Sequence, residues 1–199
     1  ITIDDVMKSA VVASPLKLYD CCPFSDGASS VILCSEKFAK AHTKNYVQVI
    51  GSGRGGSPAA LQGRDHITTI PSTRIAAQAA YKMAGISPKD VDFAEVHDCF
   101  TIAELVDTED LGFFEKGKAV EAVREGRTKL NGDISINPSG GLKSKGHPIG
   151  ATGIGQVAEV FDQLTGKAGE RTVKDAKIGL THNFGATGAS CAVHIFKSV

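Results

Sequence analysis

The stretch VDFAEVHDCFTIAEL, residues 91–105, sets a short apolar strand pattern against a cluster of titratable side chains and then turns helical. Val91 to Val96 predicts a strand, HDCF (97–100) lies at its exit, and Thr101 to Leu111 predicts a helix. A buried strand that ends in His97, Asp98 and Cys99 puts them where α/β sheets carry their active-site residues. Upstream, Ser72 to Ala84 predicts a helix with Ser72 as its cap and Ile75, Ala79, Ala80 and Met83 on one face, stopped by Gly85. Downstream, a charged helical segment from Glu115 to Arg127 is expected to be solvated, and Ile134 to Ile136 reads as a short strand. Gly150 to Leu164 is an apolar-periodic helix, and strands at 177–182 and 189–196 close the chain as a hairpin joined by NFGATG. Strands alternating with helices, then a terminal hairpin, point to an α/β layer fold.

The first quarter reads differently. Ile3, Val6 and Met7 make a short helical pattern, followed by an apolar patch at Val11, Val12 and Leu16. The run DGASSVILCS (26–35) is dense in small and β-branched residues, as expected of a strand buried on both faces. Glu36 to His42 predicts a short helix and residues 45–53 another strand, with the glycines of GSGRGG (51–56) read as a loop that continues to Gly63.

With 199 residues, 42% hydrophobic and 22% charged, the chain can bury one good-sized core. Its 22 basic residues balance 22 acidic ones without a Lys/Arg run, so nothing electrostatic favours nucleic acid or an anionic membrane. Five irregularly spaced cysteines without a CxxC pattern argue against a disulfide framework or a zinc site and for a reducing, cytoplasmic setting. There is no apolar run of bilayer-spanning length and no basic leader, and the chain opens on Ile1 rather than Met, as at a processing boundary.

Three motifs carry chemistry. In GHP (146–148) the flanking Gly146, Pro148 and Gly150 fix a turn that presents His147 just ahead of a helix. In HDCF, a cysteine beside a histidine can serve as nucleophile or as acid and base, whereas two candidate ligands in a row make a poor metal cage. In HNFGATG (182–188), Gly185 and Gly188 permit positive φ and could aim backbone N–H groups into a cavity, although the motif alone is only a turn. GSGRGG lacks dinucleotide-fingerprint spacing, and GGLKSKGH has His147 where a phosphate-binding loop needs Lys.

Together, SDGASS (25–30), HDCF, NPSGGLKSKGHPIGATG (137–153) and HNFGATGAS (182–190) resemble the thiolases, in family-like order over nearly the whole chain. HDCF, and Asn183 where most thiolases carry a second catalytic cysteine, are similar to the sterol-carrier-protein-2-type branch and its archaeal and bacterial relatives. KSKGHP and CFTIAEL look most like archaeal acetyl-CoA acetyltransferases. The resemblance implies an α/β thiolase-like layered fold, a mixed sheet with helices. Residues 1–44 would be the end of a loop domain and the last strand of the amino-terminal half, and 45–199 the carboxy-terminal domain.

The resemblance also implies roles. His147 would take the proton from a nucleophilic cysteine carried by the amino-terminal half. Cys99 would be the base that removes an α-proton, and the acid in thiolysis. His97 would lie near the enolate oxygen, Gly185 would give an oxyanion N–H, and Asn183 would shape the pocket. Cys21, Cys22, Cys34 and Cys191 would be packed and inert, and His42, His66, His182 and His194 unremarkable. No metal and no cofactor is implied beyond a coenzyme A thioester as substrate. The implied partners are the amino-terminal half, in the same chain or as a separate subunit, a homo-oligomer of the complete enzyme, and further enzymes of the pathway. A non-catalytic lipid- or acyl-CoA-binding scaffold and a thiolase-like aldolase subunit are the alternatives. A half of this kind would show an unpaired strand and an uncovered apolar face.

Overall fold

The computed structural model describes residues 1–199. Its centre is a five-stranded sheet in the order β3-β7-β6-β4-β5, with β3 Val47–Gly56, β4 Phe93–Glu95, β5 Ser135–Ile136, β6 Ile178–Gly185 and β7 Ser190–Ser198. β7 runs antiparallel to both β3 and β6, whereas β4 is parallel to β6 and β5. The sheet is therefore mixed. A small hairpin, β1 Val11–Ala13 with β2 Leu16–Lys17, follows helix α1 Ile3–Lys8, and α2 is Glu36–His42.

Crossover handedness explains the layers. Helix α3 (Pro71–Ala84) leads from β3 to β4, and α4 (Thr101–Asp110) and α5 (Ala119–Arg124) lead from β4 to β5, all advancing the same way across the sheet. After the short α6 (Gly141–Lys145), α7 (Thr152–Leu164) returns from β5 to β6 in the opposite sense. Right-handed connections put helices that travel in opposite senses on opposite faces. The core divides accordingly. Ala76, Ala80, Ala103 and Ala122 pack with Ala94, Leu180 and Ile195 on one face, and Val160 packs with Phe93 and Phe196 on the other.

The tightest packing is between β3 and α3. A Cβ added to Gly51, Gly53 or Gly55 would run into the backbone carbonyls of Ala80, Ala76 and Ser72 respectively. Two strand residues advance about 6.7 Å and four helix residues about 6.0 Å, so alternate glycines stay in step with a helix stripe at i, i+4, i+8. A bulge between Val49 and Gly51 makes this possible: Val49 pairs with Phe196 but Gly51 with Ile195. The bulge shifts side-chain parity, turning Val47 towards the α7 face and the glycines towards α3.

Several expectations need correction. GSGRGG is strand, because its glycines serve close approach and not a turn. Helix α3 is capped at Ile70 with Pro71 in its first turn, Ser72 is buried, and Ile75 and Met83 face outward. The stretch 26–35 forms no strand ladder, and Ile32 and Leu33 are 92% and 85% exposed, so it is not a strand buried on both faces. The 115–127 segment is only partly solvated, with Ala119 and Ala122 wholly buried. The buried face of α7 is largely polar, with Gln156, Glu159 and Gln163 each hydrogen-bonded. β6 continues through NFG to Gly185, so the final turn is shorter than expected.

The close approach gives a direct test by urea or thermal unfolding. Gly53→Ala should destabilise the fold by about 3 kcal/mol or more, because backbone cannot yield as a side chain does. Gly56→Ala, whose Cβ would meet nothing nearer than Ala189 O at 3.8 Å, should change stability by about 0.5 kcal/mol or less.

Candidate active site

Three chain segments leave the carboxyl ends of adjacent parallel strands: HDCF after β4, residues 137–147 after β5, and the turn after β6. Buried carboxylates hold the second to the first. Glu95, the last residue of β4, accepts from Ser139 N–H at 3.0 Å and Ser139 Oγ at 2.6 Å, with Lys145 Nζ at 3.3 Å. Asp98 accepts from Leu142 N–H at 2.7 Å and Lys143 N–H at 3.3 Å. Gly141, at φ +65°, lies so close to the Asp98 carboxylate that a Cβ would strike it. Asn137 accepts from Val96 N–H at 2.8 Å and donates to Glu104 at 2.9 Å, so the loop is tied to β4 and α4 as well. Burial pushes Glu95 and Asp98 up, while Lys145 and Ser139 pull Glu95 back and the Leu142 and Lys143 N–H groups pull Asp98 back.

The loop delivers His147. Its Nδ1 is 2.7 Å from Thr152 Oγ1, and that hydroxyl donates its only proton to Pro148 O at 3.1 Å. The hydroxyl must therefore accept from the ring, which puts the ring N–H on Nδ1 and leaves a lone pair on Nε2. Partial burial lowers the His147 pKa from 6.5 and the Asp98 carboxylate partly offsets this, so the imidazole is neutral at neutral pH. Thr152, the first residue of α7, is a functional neighbour that sequence reading passed over; its place five residues after the histidine, at a helix start, was the available signal.

His97 stands edge-on to His147, with ring centroids 5.0 Å apart, and 4.5 Å from the Phe184 ring. It is buried, its Nδ1 has no partner, and burial with the neighbouring His147 pushes its pKa down to about 4. Within HDCF, His97 is thus buried and Cys99 half-buried. Burial, then Asp107, Cys22 and Asp98, push the Cys99 thiol up to about 12, against an opposing hydrogen bond from Phe100 N–H. At neutral pH it rests as a thiol.

Below this turn lies His182, fully buried, with Nε2 2.9 Å from Thr73 Oγ1 and Nδ1 3.5 Å from His97 N–H. Asp107 Oδ2 is 3.7 Å from the same Nδ1, yet the two do not form an ion pair. Burial pushes His182 down to about 3 and Asp107 far up, so both are neutral. His182 is therefore packed, and it supports the HDCF turn. Alternation along β6 was the clue, since His182 shares a face with Leu180 and Phe184.

Asn183 lies on the other face of β6 and donates to Gln156 Oε1 at 3.2 Å, joining α7 and none of the histidines. Gly185 ends β6 outside the positive-φ region, contrary to expectation, while Gly188 has φ +90° as expected. The Gly185 carbonyl accepts from Gly188 and Ala189 N–H at 3.1 and 3.2 Å. All five cysteines are free thiols; Cys191 is buried, but Cys21 and Cys22 are half-buried beside the site and Cys34 is exposed, so those three are not packed away.

Two hollows are relevant. A polar one of about 430 Å³ lies beside His147, between residues 25–29 and 148–151. A larger apolar groove of about 770 Å³ lies away from His97 and His147, between residues 30–49 and Val157, Phe161 and Phe196 on the α7 face. No group of side chains is arranged to hold a metal ion, and no helix is long and apolar enough to cross a membrane.

Comparison with known proteins agrees with this architecture. A family model described as thiolase C-terminal domain-like matches residues 53–198. The chain is 52% identical to an acetyl-CoA acetyltransferase of Methanothermobacter thermautotrophicus over 99% of its own length and 51% of that protein. It is 39% identical to human sterol carrier protein 2 over 94% of the chain and 35% of that protein. It is also 39% identical to the benzoylsuccinyl-CoA thiolase subunit BbsB of Thauera aromatica, covering 96% of the chain and 49% of the subunit. The Ltp2-ChsH2(DUF35) aldolase shares the fold, with a TM-score of 0.88 at 24% identity over 100% of this chain and 51% of that one. The chain thus spans about half the length of the archaeal acetyltransferase. By the match over residues 53–198 and the motifs that build its site, the chain belongs to the thiolase C-terminal domain-like family.

Proposed function

We propose that this chain forms one wall of a thiolase active site, with acyl transfer to or from coenzyme A by Claisen condensation or thiolysis, and that the nucleophilic cysteine comes from an amino-terminal half. The observation that carries the reading is the His147–Thr152–Pro148 hydrogen-bond chain, which leaves Nε2 with a free lone pair. In this reading residues 1–44 belong to the loop domain and the last strand of the amino-terminal half, and 45–199 form the carboxy-terminal domain. The exposed run at Val31, Ile32 and Leu33 supports that division, because it presents apolar surface that this sheet does not cover.

His147 Nε2 takes the nucleophile's thiol proton, and the thiolate attacks the thioester carbonyl to form an acyl-enzyme. The Gly185 N–H, with the nucleophile's own N–H, holds the oxyanion, and His147 returns the proton to the departing coenzyme A thiol. Cys99, once its own proton has passed to solvent, takes an α-proton from an acetyl thioester as the thiolate, with the resulting enolate oxygen beside neutral His97, and the carbanion attacks the acyl-enzyme. In thiolysis Cys99 gives the proton back; its resting thiol is already the donor form. Asn183, held by Gln156, shapes the adjoining pocket. A coenzyme A thioester is the substrate and no further cofactor is needed.

Mixing the chain with an amino-terminal half should produce thioester-dependent acyl transfer that neither part shows alone; full activity in the isolated chain would sink the reading. In the complete enzyme, His147→Ala or Cys99→Ala should lower kcat by about 10²- to 10⁴-fold. Unchanged turnover in Cys99→Ala would favour a non-catalytic scaffold instead.

The pH profile is a separate check. His147 can accept a proton only while neutral, so activity falls as pH drops through its pKa, and burial places that acidic limb of kcat/KM below 6.5. Replacing Thr152 with Val removes the group that fixes the tautomer. It should lower kcat more than it raises KM, and an unaltered kcat would show that the tautomer is set elsewhere.

A further inference from the structure

Two cysteines meet across a short antiparallel bridge at the edge of the site. Cys21 pairs with Phe100 in that bridge, so the next residues inward, Cys22 and Cys99, oppose each other, and Cys22 N–H donates to Cys99 O at 3.0 Å. Directly opposed antiparallel residues project their side chains to the same face with Cα atoms about 4.5–5.5 Å apart, within the range that disulfide-linked cysteines adopt. The strap carrying Cys22 is fastened on both sides, by Thr101 Oγ1 to Asp20 at 3.1 Å and by His147 N–H to Pro23 O at 2.9 Å. Both thiols are free and half-buried, which leaves them open to a small oxidant. The remaining cysteines are placed differently: Cys21 projects to the opposite face of the bridge, Cys34 lines the distant groove, and Cys191 is buried against Thr73.

We propose that Cys22 and Cys99 are an oxidisable pair, and that a disulfide between them withdraws Cys99 Sγ from the site and switches its proton transfer off. The oxidant class is a peroxide. One sulfur attacks it, the O–O bond breaks, and a sulfenic acid and one water form; the second sulfur then attacks the sulfenic sulfur, the S–O bond breaks, the S–S bond forms, and a second water leaves. The two sulfurs lose two electrons in all, the peroxide gains them, and both thiol protons end in water. Burial raises both thiols, so the thiolate fraction is small at neutral pH and the reaction quickens as pH rises. The bond itself is independent of any catalytic role for Cys99; its effect on turnover rests on the function proposed above.

The bond is tested on the chain treated with hydrogen peroxide at about pH 8, just below the usual thiol range, with free thiols then alkylated and peptides mapped without reduction. The expected product joins the peptide containing Cys22 to the one containing Cys99 and is lighter by two hydrogens. It should vanish in Cys22→Ser and in Cys99→Ser and persist in Cys21→Ser. Sulfinic or sulfonic acids without a link, or a link through Cys21, would overturn the pair. For the switch, the complete enzyme is oxidised with its nucleophile masked as the acyl-enzyme. Wild type should lose turnover and regain it with dithiothreitol, while Cys22→Ser keeps its turnover. A linked peptide with full turnover would remove Cys99 from the chemistry and the switch with it. No link, in an enzyme that Cys99→Ala inactivates, would remove only the pair.

Discussion

The contact of helix backbone on strand backbone between α3 and β3 governs the remaining arrangement. With no side chains at Gly51, Gly53 and Gly55, α3 sits deep enough for its first turn to reach under the last hairpin. There Ser72 Oγ donates to Gly188 O at 2.6 Å and Thr73 Oγ1 meets His182 Nε2. Ile70 N–H donates to Asp110 on α4 at 2.6 Å, so the same depth fixes the helix that follows HDCF. Lifting α3 by the thickness of one methyl group would break three polar contacts at once, each worth about 1 kcal/mol or more when buried.

The site above is built mainly by keeping ionisable groups neutral. His97 and His182 are held down near 4 and 3, Cys99 up near 12, and Asp107 well above the carboxylate range, in each case chiefly by burial. Two carboxyls are treated differently: Glu95 and Asp98 receive several hydrogen bonds and hold the loop that carries His147. Burial thus supplies neutral acids and bases on one side of the turn, and hydrogen-bonded carboxyls supply rigidity on the other. His147, the most accessible of the two facing imidazoles, keeps its lone pair because a threonine hydroxyl has only one proton to give.

Much of this was legible in the sequence where one residue does one job. The strand at 93–95, its exit into HDCF, the helix from Thr101 and the stop at Gly85 all follow local patterns that the fold respects. The glycines at 51–56 misled because glycine marks a turn and a close contact equally well, and only the partner helix distinguishes them. The polar face of α7 was illegible for a related reason: Gln156, Glu159 and Gln163 are buried because Glu95, His182 and Arg171 reach them, and none of these is near in sequence to all three. The apolar run at 26–35 marks a surface that needs covering without saying by what. Of the candidate residues, His97 and Cys99 stood out at a strand exit and His147 in a turn ahead of a helix, while Thr152, His182 and Asp107 act through others, which no local pattern reveals.

The pairing of β3 with β7 has a consequence for the order of synthesis. Val47 lies opposite Ser198 and Gly56 opposite Ser190, so the ladder joins an early strand to one well over a hundred residues later. On a ribosome, β3 and α3 emerge with no neighbour in the sheet, and the hairpin whose turn Ser72 secures comes last. Until residues 190–198 are free of the exit tunnel, His182 has no lid, the HDCF turn has no floor, and the nascent chain holds an unpaired glycine-rich edge. The surface that carries His97, Cys99 and His147 is therefore completed in a single late step and not by degrees.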